Sequence, residues 1–386
     1  MIWDKEIIQE KSAVFLGQLM IVLAVLSFLF GSAMLLSLFI FGSLITLADY
    51  FYLKFVGNGL ILQNDRSTVR LNVHDIDEWK LSFVNKGLPI IKGTIRIGFT
   101  NKVEPTQHPF IDLSSKVEVS IPFKAWRNEQ VDINIPVKAI KRGVSRIQSI
   151  EIKIPHLFGT GEVILQNNKM LGGKKLIFPE RKSVKTTNKD YYFLQGTQYN
   201  QTSIYFDPLQ PIGTREYQSG DPFQYIHWKA SARTQQLQTK VFSAIGAKTW
   251  LMLMNVEGNN ADLETNISHC AYLVDYAVKE NIPFALAINV TTFGESMYYF
   301  LNEGEGRQHR QRAFDLLTYL SVASFTIPYK LMLKNIFQNG ISYPYIIHIG
   351  KVDSFTHATL LSFSKKGSMV FSVKSFEDQG AMELWN

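Results

Sequence analysis

From Ser12 to Ala48 the sequence contains no Asp, Glu, Lys or Arg. One helix of that length would run about 55 Å at roughly 1.5 Å per residue, against a membrane hydrocarbon core of about 30 Å. The excess predicts a break, and Gly31-Ser32 supplies it. The tract then divides into arms at 12–30 and 33–53, each close to a spanning length. Asp49 and Lys54 close the second arm and are expected at or beyond the interface, with Tyr50 and Tyr52 at headgroup level. A secretory signal peptide fits less well. Asp4, Glu6 and Glu10 dilute its basic flank, and a second apolar arm follows at once. A buried helical pair in a soluble protein is the other alternative. Lys5 and Lys11 precede the hairpin, while Lys54, Arg66 and Arg70 follow it. The positive-inside bias therefore predicts a cell-membrane protein, in contact with lipid, with two transmembrane helices and cytoplasmic N and C termini.

A chain of 386 residues exceeds one ordinary domain, and its pattern changes along its length. The hairpin occupies 1–57. Period-two alternation follows, clearest at Val117, Val119 and Ile121 and again at Val131, Ile133 and Ile135, with a polar turn at Arg127-Asn128-Glu129 between them. It predicts a β-sandwich-like domain over 58–171. His74, His108 and His156 lie within it without metal-ligand spacing. Residues 172–202 read as a basic connector carrying Lys174, Lys175, Arg181, Lys182, Lys185 and Lys189, either solvated or set against anionic lipid. A motif region spans 203–240. From 241 to 386, strands near 250–256, 284–290, 345–349 and 369–373 alternate with helices near 263–279, 307–321 and 355–366. That order predicts a three-layer α/β domain with binding loops at the carboxyl ends of its strands. The net charge of +7 is not gathered into one basic tract, so no nucleic-acid partner is expected. Cys270 stands alone, which excludes an intramolecular disulfide, and its apolar surroundings suit a buried thiol.

Residues 213–233 are the most distinctive passage. Asp221 at an N-cap, Pro222 at N1 and Gln224 at N3 predict a capped helix start. Ile226, Ala230 and Leu237 are expected to face a core. Trp228 is expected to pack across the junction with Arg215 or Arg233 over its ring. Asp221 and His227 could be cast as acid and base, but a cap and a packed or exposed imidazole explain them without chemistry, so no catalytic residue is assigned.

Arg215, Tyr217, Gly220-Asp221, Ile226, Trp228-Lys229 and Ala232-Arg233, followed by Leu237, resemble the hallmark of the domain-of-unknown-function 58 (DUF58) family. Phe158-Gly159, after Arg142-Gly143, resembles its upstream signature, with a departure at His156. The order of hairpin, β-rich region, motif and α/β tail is similar to the family layout. The resemblance implies a C-terminal domain akin to von Willebrand factor A domains. Their complete metal site carries Asp-x-Ser-x-Ser after the first strand, where carboxylate and hydroxyls help fill a Mg²⁺ shell. Here 254–259 reads Met-Asn-Val-Glu-Gly-Asn. Asn255 and Glu257 remain as oxygen donors of a degenerate loop, Thr291 and Thr292 do not restore the site, and neither metal nor cofactor is expected. The resemblance further implies a MoxR-type AAA+ ATPase as protein partner. The leading expectation is thus a membrane-anchored cytoplasmic scaffold or adaptor, with Arg215, Tyr217, Gly220, Asp221, Trp228, Lys229 and Arg233 as structural or partner-binding residues. The alternatives are an enzyme of unknown reaction, and a cell-envelope structural protein or lipid-surface sensor.

Overall fold

The computed structural model describes residues 3–9, 11–64, 66–156, 161–167, 172–186, 206–218, 221–244, 249–292, 297–321, 323–338, 343–376 and 379–385. The chain forms two compact units, Met1–Pro179 and Glu180–Asn386.

In the first unit, α1 (Lys11–Phe30) and α2 (Ala33–Phe55) pack on each other and reverse direction at Gly31, whose φ of +55° favours a residue without a Cβ. Large apolar side chains stand out from the pair, among them Phe28, Phe30 and Met34. α2 is long and apolar enough to cross a membrane, whereas the apolar part of the described α1 side chains, Gln18–Phe30, is shorter. Both ends of the pair are tied to β-structure. Residues before α1 form a strand, β1 (Asp4–Gln9), which the sequence did not signal. From it the Lys5 ammonium donates to Lys54 O at 2.9 Å, Val56 O at 2.7 Å and Asn58 Oδ1 at 3.3 Å, a cation seated on the carbonyl end of α2. Asp49 and Tyr52 do not sit at an aqueous interface as expected. Asp49 Oδ2 lies 2.6 Å from His156 Nδ1, and the Tyr52 hydroxyl donates to Pro89 O at 3.1 Å, so the last turns of α2 are buried against β-structure.

The remaining strands of this unit follow in order. They are β2 (Leu60–Asn64), β3 (Thr68–Asn72), β4 (Ile76–Asn85), β5 (Ile90–Thr100), β6 (Val103–Pro105) and β7 (Phe110–Leu113). Then come β8 (Lys116–Ala125), β9 (Gln130–Ala139), β10 (Gly143–Ser145), β11 (Ile147–Pro155), β12 (Gly161–Asn167) and β13 (Lys174–Phe178). One sheet runs β1-β12-β11-β5-β8-β7 and another β2-β4-β9-β6. Their inner residues share one core, in which Phe83 of β4 meets Phe123 of β8 edge-on at 5.3 Å and Trp79 meets Phe99 at 6.1 Å. The two clearest alternating runs, β8 and β9, lie in opposite sheets, so the turn at Arg127-Asn128-Glu129 carries the chain from one to the other. This β-rich section therefore has the face-to-face sheets expected of the alternation. A third sheet, β10-β13-β3, is tied to β4 through Lys175, which donates to the Asp77 carboxylate and to Glu78 O. Its ammonium also lies 4.7 Å over the Trp79 ring.

Part of the expected basic connector is thus structured. Lys174 and Lys175 belong to β13, Lys185 lies in a strand, β14 (Val184–Thr186), and Arg181 Nε pairs with Asp275 Oδ2 at 2.7 Å. Intramolecular partners consume charges that a solvated or lipid-facing linker would leave open. Lys189 lies outside the described residues.

The second unit is α/β. Its strands continue as β15 (Phe206–Glu216), β16 (Gln238–Ala244), β17 (Trp250–Met254), β18 (Phe284–Ile288) and β19 (Tyr299–Gly304), then β20 (Tyr345–Ile349), β21 (Met369–Phe376) and β22 (Gln379–Leu384). Helices are α3 (Trp228–Thr234), α4 (Asn260–Lys279), α5 (Gly306–Tyr319), α6 (Tyr329–Gln338) and α7 (Ser354–Lys365). The sheet order is β14-β22-β21-β20-β17-β18-β19, with β21, β20, β17 and β18 mutually parallel. β17 and β18 are buried at every position, as parallel strands covered on both faces require. Leu251 and Leu253 pack with Leu333 and Ile336 of α6 and Leu360 of α7. Trp250 turns the other way, stacking on Tyr276 of α4 at 5.9 Å. Helices therefore cover both faces. Pairing of β15 with β16 makes a separate hairpin.

Candidate functional site

The motif residues assemble on the β15–β16 hairpin and the turn that precedes α3. Arg215 closes β15 opposite Thr239 of β16. Its Nη2 donates to Asp221 Oδ1 at 2.6 Å and its Nη1 to Glu216 O at 3.0 Å. Asp221 Oδ2 accepts from the Gln218 N–H and from the Thr239 hydroxyl, both at 3.0 Å. The Arg215 guanidinium, the Gln218 N–H and the Thr239 hydroxyl together hold the Asp221 carboxyl down to about 2. Asp221 consequently stays ionised at neutral pH.

This network displaces the expected cap. The Asp221 carboxylate bonds to Arg215, Gln218 and Thr239 and to no N–H of the following turn, and Pro222 is extended at φ −65°, ψ 129°. A single 3-10 turn, Phe223–Tyr225, follows. Ile226 is buried as expected and bridges Thr239. The cap falls instead to His227, whose Nδ1 accepts from the Ala230 N–H at 3.0 Å. Ser231 locks α3 to β16, accepting from the Gln238 N–H at 2.8 Å and donating to His227 O at 3.1 Å. Tyr217 donates through its N–H to Leu237 O at 2.8 Å, and its ring lies 6.0 Å from that of Phe223.

The structure reverses the expectation for Trp228. Its side chain is 67% exposed, Phe223 is 70% exposed and Leu237 is exposed rather than in a core. Lys229 and Arg233 are exposed as well, while Ala230 is half-buried. The motif thus separates into a fixed half, Arg215, Tyr217 and Asp221, and an outward half, Trp228, Lys229 and Arg233. Gly220 and Phe158-Gly159 lie outside the described residues.

A second constellation occupies the carboxyl edge of the sheet. β17 and β18 are in register, Met254 beside Ile288, and each is followed by an Asn. Asn255 Oδ1 accepts from the Glu257 N–H at 3.0 Å and from Asn289 Nδ2 at 3.3 Å, and its Nδ2 donates to Lys351 O at 3.1 Å. Asn289 Oδ1 accepts from the Val256 N–H at 2.9 Å, and Asn289 Nδ2 also reaches Ile327 O at 3.2 Å. Glu257 Oε1 accepts from the Tyr329 N–H at 2.9 Å, an acid on the first turn of α6. Thr291 donates from both its N–H and its hydroxyl to Phe325 O. Gly350, at φ +120°, passes so close to Asn255 that a Cβ would stand 2.6 Å from Asn255 O. The loops after β17, β18 and β20 and the loop before α6 are therefore fastened by side chains. Asn255 Oδ1 and Glu257 Oε1 take part in this fastening, and among the described residues no group of three His, Cys, Asp or Glu is placed to hold a metal. On the rim Phe325 is 84% exposed. Asn289 and Tyr329 were missed in the sequence. The available signal was the repeated Asn at the ends of two adjacent buried strands.

Cys270, inside α4, is fully buried, and desolvation pushes its thiol up to about 12, which makes it a poor nucleophile.

A domain of the family described as "Protein of unknown function DUF58" occupies residues 213–321, from the motif hairpin through α5. No curated protein matches the chain. Among solved structures, the CARDB domain of a Pyrococcus furiosus protein is 10% identical with a TM-score of 0.18, over 28% of this chain and 84% of that one. A non-cellulosomal cohesin from Archaeoglobus fulgidus is 7% identical with a TM-score of 0.21, over 34% of this chain and 95% of that one. Likenesses at these scores assign neither a fold nor a function.

Proposed function

We propose that this chain is a membrane-anchored scaffold or adaptor, held by the α1–α2 hairpin with both termini cytoplasmic, whose von Willebrand factor A-like α/β unit binds another protein. The observation that carries the reading is the platform at the carboxyl edge of the sheet. Its loops are fastened by Asn255, Asn289 and Glu257, and it presents Phe325 at 84% exposure. A rigid rim with an exposed aromatic anchor loses little conformational freedom on docking, which favours a protein partner. Phe28, Phe30 and Met34 support the anchor, because apolar side chains standing this far into water would promote aggregation and suit lipid instead.

The family resemblance points to a MoxR-type AAA+ ATPase as that partner. On the enzyme alternative, Asp221 and His227 Nδ1 are both engaged as hydrogen-bond acceptors that shape the motif. Reciprocal crosslinking and pull-down from gently solubilised membranes tests the proposal. A stoichiometric protein should be recovered by the wild type and lost by Phe325→Asp with the fold retained. Recovery of no defined protein, or equal recovery by both, would sink it.

A further inference from the structure

The outward half of the motif has a chemistry of its own. Ser231 is the buried residue of α3, fastened to β16. At about 100° per residue, Lys229 and Arg233 project from the side opposite Ser231, one turn apart, while Trp228, at the start of the helix, lies about 100° round from Lys229. Like charges at this spacing repel each other. Neither has an acidic partner among the described residues, whereas the nearby Asp221 is already matched by Arg215. Glu216 neighbours Arg215 on β15 and, by strand alternation, projects to the other face of the hairpin. Two aromatics of the motif are exposed as well, Phe223 at 70% in the turn before α3 and Trp228 at 67%.

We propose that this face docks on the anionic surface of the lipid bilayer, the aromatic rings entering at headgroup level and Lys229 and Arg233 meeting lipid phosphates. The inference rests on the membrane-anchored reading, since a tether keeps the bilayer at high effective concentration and lets a weak contact operate. Charge complementarity selects the occupant. Two unmatched cations on α3, with an exposed Trp at its start and an exposed Phe in the turn before it, combine the aromatic and basic residues of membrane interfaces.

The full chain reconstituted in nanodiscs tests this, using phosphatidylcholine alone or mixed with phosphatidylglycerol, with bromine on the acyl chains. The Trp228 signal is the difference between wild type and Trp228→Phe, which removes the other tryptophans from the comparison. Quenching of Trp228 is expected only with phosphatidylglycerol and should fade with salt. Lys229→Gln and Arg233→Gln should each lower the docking equilibrium constant about fivefold. Quenching that is absent in both lipids, or equal in both, overturns the proposal; so does a Trp228 that is shielded only when a protein partner is added. The two-lipid comparison on wild type does not depend on how any variant folds. Alkaline carbonate separates the two readings. A chain it extracts from membranes contradicts the anchor, whereas a retained chain with unquenched Trp228 contradicts the docking alone.

Discussion

His348 lies in β20 with no exposed surface, its Nδ1 2.7 Å from the Tyr329 hydroxyl. Desolvation by burial lowers its pKa to about 4. The unfolded chain would protonate this imidazole near the usual value of about 6.5, so the folded state binds fewer protons between the two values. Stability contributed by the neutral imidazole is complete above about 6.5 and is lost as pH falls toward 4. Urea unfolding at pH 7 and pH 4.5 should show this loss in wild type, at most about 3 kcal/mol, and a smaller one in His348→Gln. Equal pH dependence in both would contradict the assignment. None of this was visible in the sequence, where His348 is one residue of an apolar run. The same is true of His156 and Asp49, which meet only because α2 returns to the β-unit. Cys270 was legible, because its neighbours already described a buried helix face.

At the scale of elements, alternation and long apolar runs carried the reading well. The strands β8 and β9 and the parallel strands β17, β18, β20 and β21 fall where their periodicity put them. β1, β13 and β14 escaped notice because charged residues interrupt them and their partners, β12, β3 and β22, are distant in sequence. The motif lies at the start of the DUF58 match, and its Asp221 does not form the expected helix cap. Asp-Pro-x-Gln suits a cap only where the Asp turns toward the helix start, and here Arg215 and Thr239 of the hairpin hold it. Trp228→Ala should therefore change stability by no more than about 0.5 kcal/mol, not the roughly 3 to 5 kcal/mol of a packed indole. A large destabilisation in thermal or urea melts would place the ring in a core. Asn255→Ala carries the opposite expectation. It leaves Asn289 Nδ2 and Lys351 O each without one buried partner, and should cost about 1 to 3 kcal/mol. Lys5→Met removes the cation from the carbonyl end of α2 and should cost about 0.3 to 2 kcal/mol. Hydrogen exchange in the last turn of α2 should rise with it, and unchanged exchange there would contradict the capping role.

For the molecule as a whole, the charge-free tract governs everything else, since it decides whether the two units work in water or beside a membrane. Its ends return to one β-unit, β1 through its pairing with β12 and α2 through its burial at Leu53 and Val56. The most direct test of the anchored scaffold is therefore the sidedness of the chain. Cysteines are introduced singly at Ser32, near Arg66 and at the exposed Phe325, with Cys270 replaced by Ser and the fold checked. An impermeant thiol reagent applied to intact cells should modify the Ser32 position from outside, and the other two only after the membrane is opened. Modification at Arg66 or Phe325 in intact cells, with Ser32 protected, would contradict a hairpin that leaves both units cytoplasmic.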